Sequence, residues 1–130
     1  MSGPGILIVD DEQDILELAV GALEGAGYAA LPAVSSDIAL VLLEQRLPFE
    51  LLVTDVVLDG YLDGFALARK ARELRPDIRI IYMTGYAGIA GIRSRGAPYG
   101  EVLAKPWKPA DLVRAVDAVM ACHAPRFARR

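Results

Sequence analysis

Apolar residues fall along this chain in two textures, short unbroken runs and longer stretches with helical spacing. Ile6 to Val9 is wholly apolar and rich in β-branched residues, and it stops abruptly at Asp10 and Asp11. Such a run predicts a strand buried on both faces, as in a parallel sheet. Beyond it, Ile15, Leu18, Ala19, Ala22, Leu23 and Ala26 recur at helical spacing until Gly27 halts the pattern. Tyr28 to Leu31 reads as a second strand. Ser35 or Ser36 then caps a helix running to about Arg46, with Pro48 just beyond it.

Leu51 to Val53 is the next buried strand and ends at Thr54 and Asp55, and Leu67, Ala71 and Leu74 mark a helix that Pro76 closes. Ile78 to Met83 is a strand ending at Thr84, followed by a glycine-rich stretch and a short strand from about Glu101 to Ala104. Pro109, at a favoured first helical position, opens a last helix with Leu112, Val116, Val119 and Met120 on one face. Five repeats of strand then helix, joined by short connections, predict an α/β fold. The expectation is a flavodoxin-like, doubly wound, five-stranded parallel sheet of order 2-1-3-4-5 with helices on both faces.

Composition narrows the class without changing that outline. A length of 130 residues suits one domain with a sizeable core. That domain is expected over residues 1–122, with a flexible basic tail over 123–130 whose Arg126, Arg129 and Arg130 read as a solvated end. The net charge of −3 argues against nucleic acid as a partner. Cys122, the single cysteine, has neither a disulfide partner nor zinc-ligand spacing around it, which suits a reducing cytosol and a cytoplasmic protein. No signal peptide precedes Ile6, and no apolar run approaches the roughly 20 residues that span a bilayer, so no membrane partner is expected.

The unusual polar residues gather at one predicted edge. In open parallel sheets the functional crevice lies at the carboxyl ends of the strands. Asp10 and Asp11 end the first strand, Asp55 the third and Thr84 the fourth, while Lys105 follows the fifth. With the first and third strands adjacent, Asp11 and Asp55 face one another. Crowded carboxylates repel, so one stays protonated unless a cation joins them. Mg²⁺ suits an all-oxygen cluster, whereas zinc or copper would call for cysteine or histidine. A metal there would orient an incoming phosphate for in-line attack, and Asp55 could act as nucleophile to form an aspartyl phosphate. Thr84 could hydrogen-bond one phosphoryl oxygen and Lys105 could pair with another. Each residue also has a plainer reading: Asp10, Asp11 or Glu12 as a helix cap, Asp55 and Thr84 as turn formers, Lys105 as a surface lysine. It is their agreement across four strand ends that points to a site.

The same residues carry a family resemblance. "ILIVDDE" from Ile6, "LLVTDVVLDGYLDG" from Leu51, "IIYMTGYA" from Ile80 and "VLAKPW" from Val102 together resemble the bacterial response-regulator receiver domain, over residues 5 to 122. The resemblance implies Mg²⁺ held by Asp11, Asp55 and the backbone carbonyl of Val57, with Asp10 acting through water. It implies phosphoryl transfer onto Asp55 from a histidine kinase or phosphotransfer protein, and a cis bond before Pro106. Two positions depart from the pattern. Many receivers have an aromatic switch residue where this chain has Val102, and proline where it has Asp59. Tyr82, Met83, Thr84, Gly85 and Tyr86 are similar to the Phe-Ala-Thr-Gly-hydrophobic motif of a subgroup lacking that switch, often single-domain and often paired with kinases of the HWE class.

Gly85, Gly88, Gly91, Gly96 and Gly100 fall where receivers build their fourth helix. A glycine in a helix interior costs about 1 kcal/mol relative to alanine, so a short or partly melted helix is expected there. Tyr86 is a candidate substitute aromatic, Trp107 a packing residue under the last helix, and His123 a residue remote from the acidic edge. Two other classes compete with a stand-alone receiver without an output domain. A phosphohydrolase with an Asp nucleophile would place it on the first strand with a second Asp two positions on, where this chain has Glu12. A pseudo-receiver would lack one of Asp10, Asp11, Asp55, Thr84 or Lys105.

Overall fold

The sheet is built from strands with almost nothing polar to offer solvent. In the computed structural model, which describes residues 5–58, 60–85 and 88–121, the chain alternates strand and helix throughout. β1 is Gly5–Val9, α1 Gln13–Gly25, β2 Ala29–Ala33, α2 Ser36–Leu43 and β3 Phe49–Asp55. α3 is Gly64–Leu74, β4 Arg79–Thr84, α4 Ile89–Arg95, β5 Gly100–Ala104 and α5 Pro109–Ala121. All pairings are parallel and the order is β2-β1-β3-β4-β5, as the alternation predicts.

Alternate residues of each central strand feed two separate apolar layers, as a pleat requires. Leu7, Val9, Leu52, Ile80 and Tyr82 pack beneath α2 and α3, against Ala39, Leu43, Phe65, Ala68 and Ala71. Ile6, Ile8, Leu51, Val53, Ile81 and Met83 pack beneath α1 and α5, against Leu16, Ala19, Leu23, Leu112 and Val116. Trp107 joins the second layer as expected, although its buried indole N–H has no hydrogen-bond partner among the described residues. No helix among the described residues is long and apolar enough to cross a membrane.

Three elements depart most from the sequence reading, and the other boundaries shift by about one residue. β2 lies at the sheet edge and is shifted towards Ala33, carrying Pro32 at a place where a missing N–H is tolerated. β3 extends from Phe49 through Asp55, so Asp55 is the last residue of the strand itself. α2 stops at Leu43, short of Arg46, because the Arg75 guanidinium donates to the carbonyls of Leu43, Gln45 and Leu47 and so takes up that end of the helix. The helix expected to be weakened by glycines exists as α4, seven residues long with no buried residue. Asp59, Tyr86 and the expected tail, with Cys122 and His123, lie outside the described residues.

Candidate phosphoacceptor site

Three backbone bonds continue the sheet one step past its strands and set the floor of the site. Asp10 N–H donates to Ala33 O at 3.2 Å, Val56 N–H to Met83 O at 3.0 Å and Lys105 N–H to Thr84 O at 2.8 Å. Register then does the rest. Val9 lies opposite Thr54, Asp55 opposite Met83, and Thr84 opposite Ala104, so the next side chains converge at the carboxyl edge. Gly64 allows the close fit behind Asp55: a Cβ there would lie 2.2 Å from the Asp55 carbonyl oxygen.

Carboxylate oxygens of Asp10, Asp11 and Asp55 all lie within 4.8 Å of one another. Their exposure differs sharply. Asp10 is 0 % exposed and Asp55 9 %, while Asp11 faces solvent. Asp10 is anchored at both oxygens, accepting from Glu12 N–H at 2.9 Å and from the Lys105 ammonium at 2.7 Å. The same ammonium donates to Asp55 Oδ2 at 3.0 Å and lies 4.0 Å from Glu12 Oε1. Among the described residues Asp55 Oδ1 has one long contact, 3.4 Å from Val57 N–H.

Burial raises the Asp55 carboxyl above its ordinary range. Lys105 opposes that rise, Asp10 adds to it, and the Val57 amide opposes it weakly. For Lys105, burial works against the ammonium, but hydrogen bonds and charge from Asp10 and Asp55 together outweigh it and hold its pKa above the usual lysine value. Three carboxylates against one ammonium leave two negative charges when all are ionised. That surplus, on oxygen donors alone, fits a hard divalent cation.

The structure therefore gathers Asp10, Asp11, Asp55 and Lys105. Thr84 stands at the same edge, buried, with its hydroxyl donating to the Gly85 carbonyl at 3.2 Å and no described contact to the carboxylates. Val57 is half exposed and meets Asp55 through its amide. Lys105–Pro106 is cis, as the resemblance implies. Glu12's approach to Lys105 was missed in the sequence, where it reads only as part of an acidic run or a cap. The sequence offers Ser36 only as a possible cap, yet Ser35 fills that role, accepting from Ile38 N–H at 3.2 Å.

Residues 6–117 match the family described as response regulator receiver domain. The chain belongs to that family. It is 37% identical over 116 residues to the response regulator receiver protein CpdR of Brucella abortus, covering 88% of this chain and 95% of that one. It is 33% identical over 118 residues to the sensor kinase CckA of the same organism, covering 88% of this chain but 12% of the kinase. Among solved structures, a response regulator receiver protein from Sinorhizobium medicae superposes with a TM-score of 0.82 at 31% identity, over 92% of this chain and 95% of that one. This chain is thus a receiver domain of a two-component system, a module that accepts a phosphoryl group from a histidine kinase.

Proposed function

We propose that Asp55 is the phosphoacceptor and that the reaction depends on Mg²⁺. The observation that carries this is the pairing of a nearly buried carboxylate at the end of β3 with Lys105 at 3.0 Å and two further carboxylates within 4.8 Å. The Asp55 carboxylate attacks phosphorus, the bond to the donor's imidazole nitrogen breaks, and that nitrogen keeps the electron pair and takes up a proton. Lys105, already beside the attacking group, exchanges a carboxylate contact for a phosphoryl oxygen. The Thr84 hydroxyl turns from the Gly85 carbonyl to donate to another. Asp11, Asp55 and the Val57 carbonyl would hold Mg²⁺, with Asp10 acting through water. When bound, the ion would offset the charge of the incoming phosphate.

The partner on the donor side is a histidine kinase or phosphotransfer protein, a reading supported by the likeness to CpdR and CckA. The domain is not an enzyme towards an outside substrate. It signals by changing partner binding or by draining phosphate from a kinase. Transmission does not use a ring at Val102, which is 41 % exposed on β5 opposite Tyr82. The clustered Gly85, Gly88, Gly91, Gly96 and Gly100, in a chain whose Tyr82 to Tyr86 resemble the switch-lacking subgroup with its HWE-class kinases, support an ordering of the segment 85–100 on phosphorylation instead.

Incubation with acetyl phosphate, resolved on a phosphate-affinity gel, tests the acceptor. A shifted band is expected with Mg²⁺, lost on chelation and absent from Asp55→Ala. A shift that survives chelation would count against the metal, and one that survives Asp55→Ala would count against the residue.

A further inference from the structure

The loop between Asp55 and α3 departs from its family's pattern at Asp59, which stands where proline commonly stiffens the backbone. The loop is closed at both ends. Gly64 N–H donates to Val56 O at 2.9 Å, and Asp63 caps α3 by accepting from Ala66 N–H at 2.8 Å. Between those ends Tyr61 stands 86 % exposed. Leu62 N–H, however, donates at 3.0 Å to Ser36 Oγ, 26 residues earlier at the start of α2.

Ser36 is not needed there by the helix. Ser35 already caps α2, and Ser36 is nevertheless fully buried, with its hydroxyl on the loop. Gly60 rests on the same spot. Its φ of +114° is one that residues with a side chain rarely adopt, and a Cβ on it would lie 2.8 Å from Ser36 Oγ. Two points of the loop thus converge on one hydroxyl.

We infer that Ser36 is a positioning residue for the phosphoacceptor loop, holding it against α2 so that Val57 stays beside Asp55. The inference rests on the reading of Asp55 and Val57 as site residues. Ser36 touches neither of them and acts through Leu62 and Gly60.

The test compares wild type, Ser36→Ala and Gly60→Ala, the last pushing the loop off α2 while leaving the hydroxyl in place. Amide exchange is read residue by residue, and Mg²⁺ affinity by calorimetry without any phosphodonor. Both variants are expected to speed exchange at Leu62 while leaving Ala39 and Leu40 within α2 unchanged. Mg²⁺ affinity should fall by about tenfold, at the low end of what losing a partner behind a metal ligand costs. The acetyl-phosphate rate at saturating Mg²⁺ should stay within about twofold of wild type, since binding rather than chemistry is affected. Unchanged Leu62 exchange and Mg²⁺ affinity would overturn the inference, and so would faster exchange throughout α2, which marks a merely structural role. If wild type binds Mg²⁺ and both variants weaken it, yet no protein is ever phosphorylated, the Asp55 reading fails while the clamp stands.

Discussion

Asp55 and Lys105 stabilise one another only in part, and the residual imbalance has a consequence for stability. Burial makes the Asp55 carboxylate costly, and the nearby Asp10 adds to that cost, while Lys105 offsets some of it. A carboxyl whose pKa is higher in the folded than in the unfolded protein binds its proton more tightly when folded. Stability therefore falls as pH rises from the unfolded value through the raised one, and the loss stays in place at neutral pH. Asp55→Asn, which is neutral at every pH, should accordingly be more stable than wild type at pH 7 without Mg²⁺. The two should converge below the ordinary aspartate pKa. Urea midpoints at the two pH values check this, and an equal or lower midpoint for Asp55→Asn at pH 7 would contradict it. Mg²⁺ should close the gap by stabilising wild type alone, through binding to the folded state.

At the scale of elements, α4 is the one least attached to the core. Its N-cap residue, Gly88, provides no side-chain cap, and no residue in the helix is buried. Ile92 packs partly buried against the core, and Arg95 adds two contacts, lying 3.8 Å from the Asp63 carboxylate and 4.8 Å from the centre of the Phe65 ring, which in turn packs on Tyr82. Both interactions are half exposed or peripheral, each worth about 0.5–1 kcal/mol. Arg95→Ala should therefore leave global stability within about 1 kcal/mol while exchange across residues 89–95 accelerates. A large global loss with unchanged exchange in α4 would show that Arg95 belongs to the core instead. Phosphorylation is expected to act in the opposite sense, slowing exchange over residues 85–100, and equal protection with and without a beryllofluoride mimic would rule out the order–disorder route.

Elements were legible where their cause is local. The apolar run at Ile6–Val9 and the helical spacing from Ile15 onward each specify an element without help. So does the glycine clustering that leaves α4 short. The end of α2 was not legible, since it depends on Arg75, some 28 to 32 residues away, donating to carbonyls that no local pattern identifies. Ser36 was hidden for the same reason. A serine beside another serine before a helix reads as a cap, and only tertiary structure separates the two hydroxyls. At the site, the four strand ends were legible because parallel topology sends them all to one edge. The approach of Glu12 to Lys105 was not, because it depends on how far one lysine reaches.

Across the whole molecule, α1 and α5 pack side by side over the second apolar layer and are tied to one another at its edge. Tyr28, between α1 and β2, donates to Asp117 of α5 at 2.5 Å. Burial first, then that hydrogen bond and the Asp117 charge, push the Tyr28 phenol up to about 12. Burial likewise raises Tyr82 to about 12, and Lys105 is also held above its usual value. All three keep their protons better folded than unfolded, and for the two tyrosines the contribution is complete below pH 10 and is lost as pH rises towards 12. Stability should decline over that window, and Tyr28→Phe should decline less steeply from a lower starting point. A parallel decline in both proteins would show that the Tyr28–Asp117 bond contributes nothing to it.

Asp55 is the phosphoacceptor only if the phosphoryl group comes to rest on it. The most direct measurement is to phosphorylate the full chain with acetyl phosphate and Mg²⁺, trap the acyl phosphate by borohydride reduction, and locate the reduced residue by peptide mass spectrometry. The expected result is a single reduced residue at Asp55, absent when Mg²⁺ is chelated. Reduction at Asp10 or Asp11, or none anywhere while the protein still binds Mg²⁺, would contradict it.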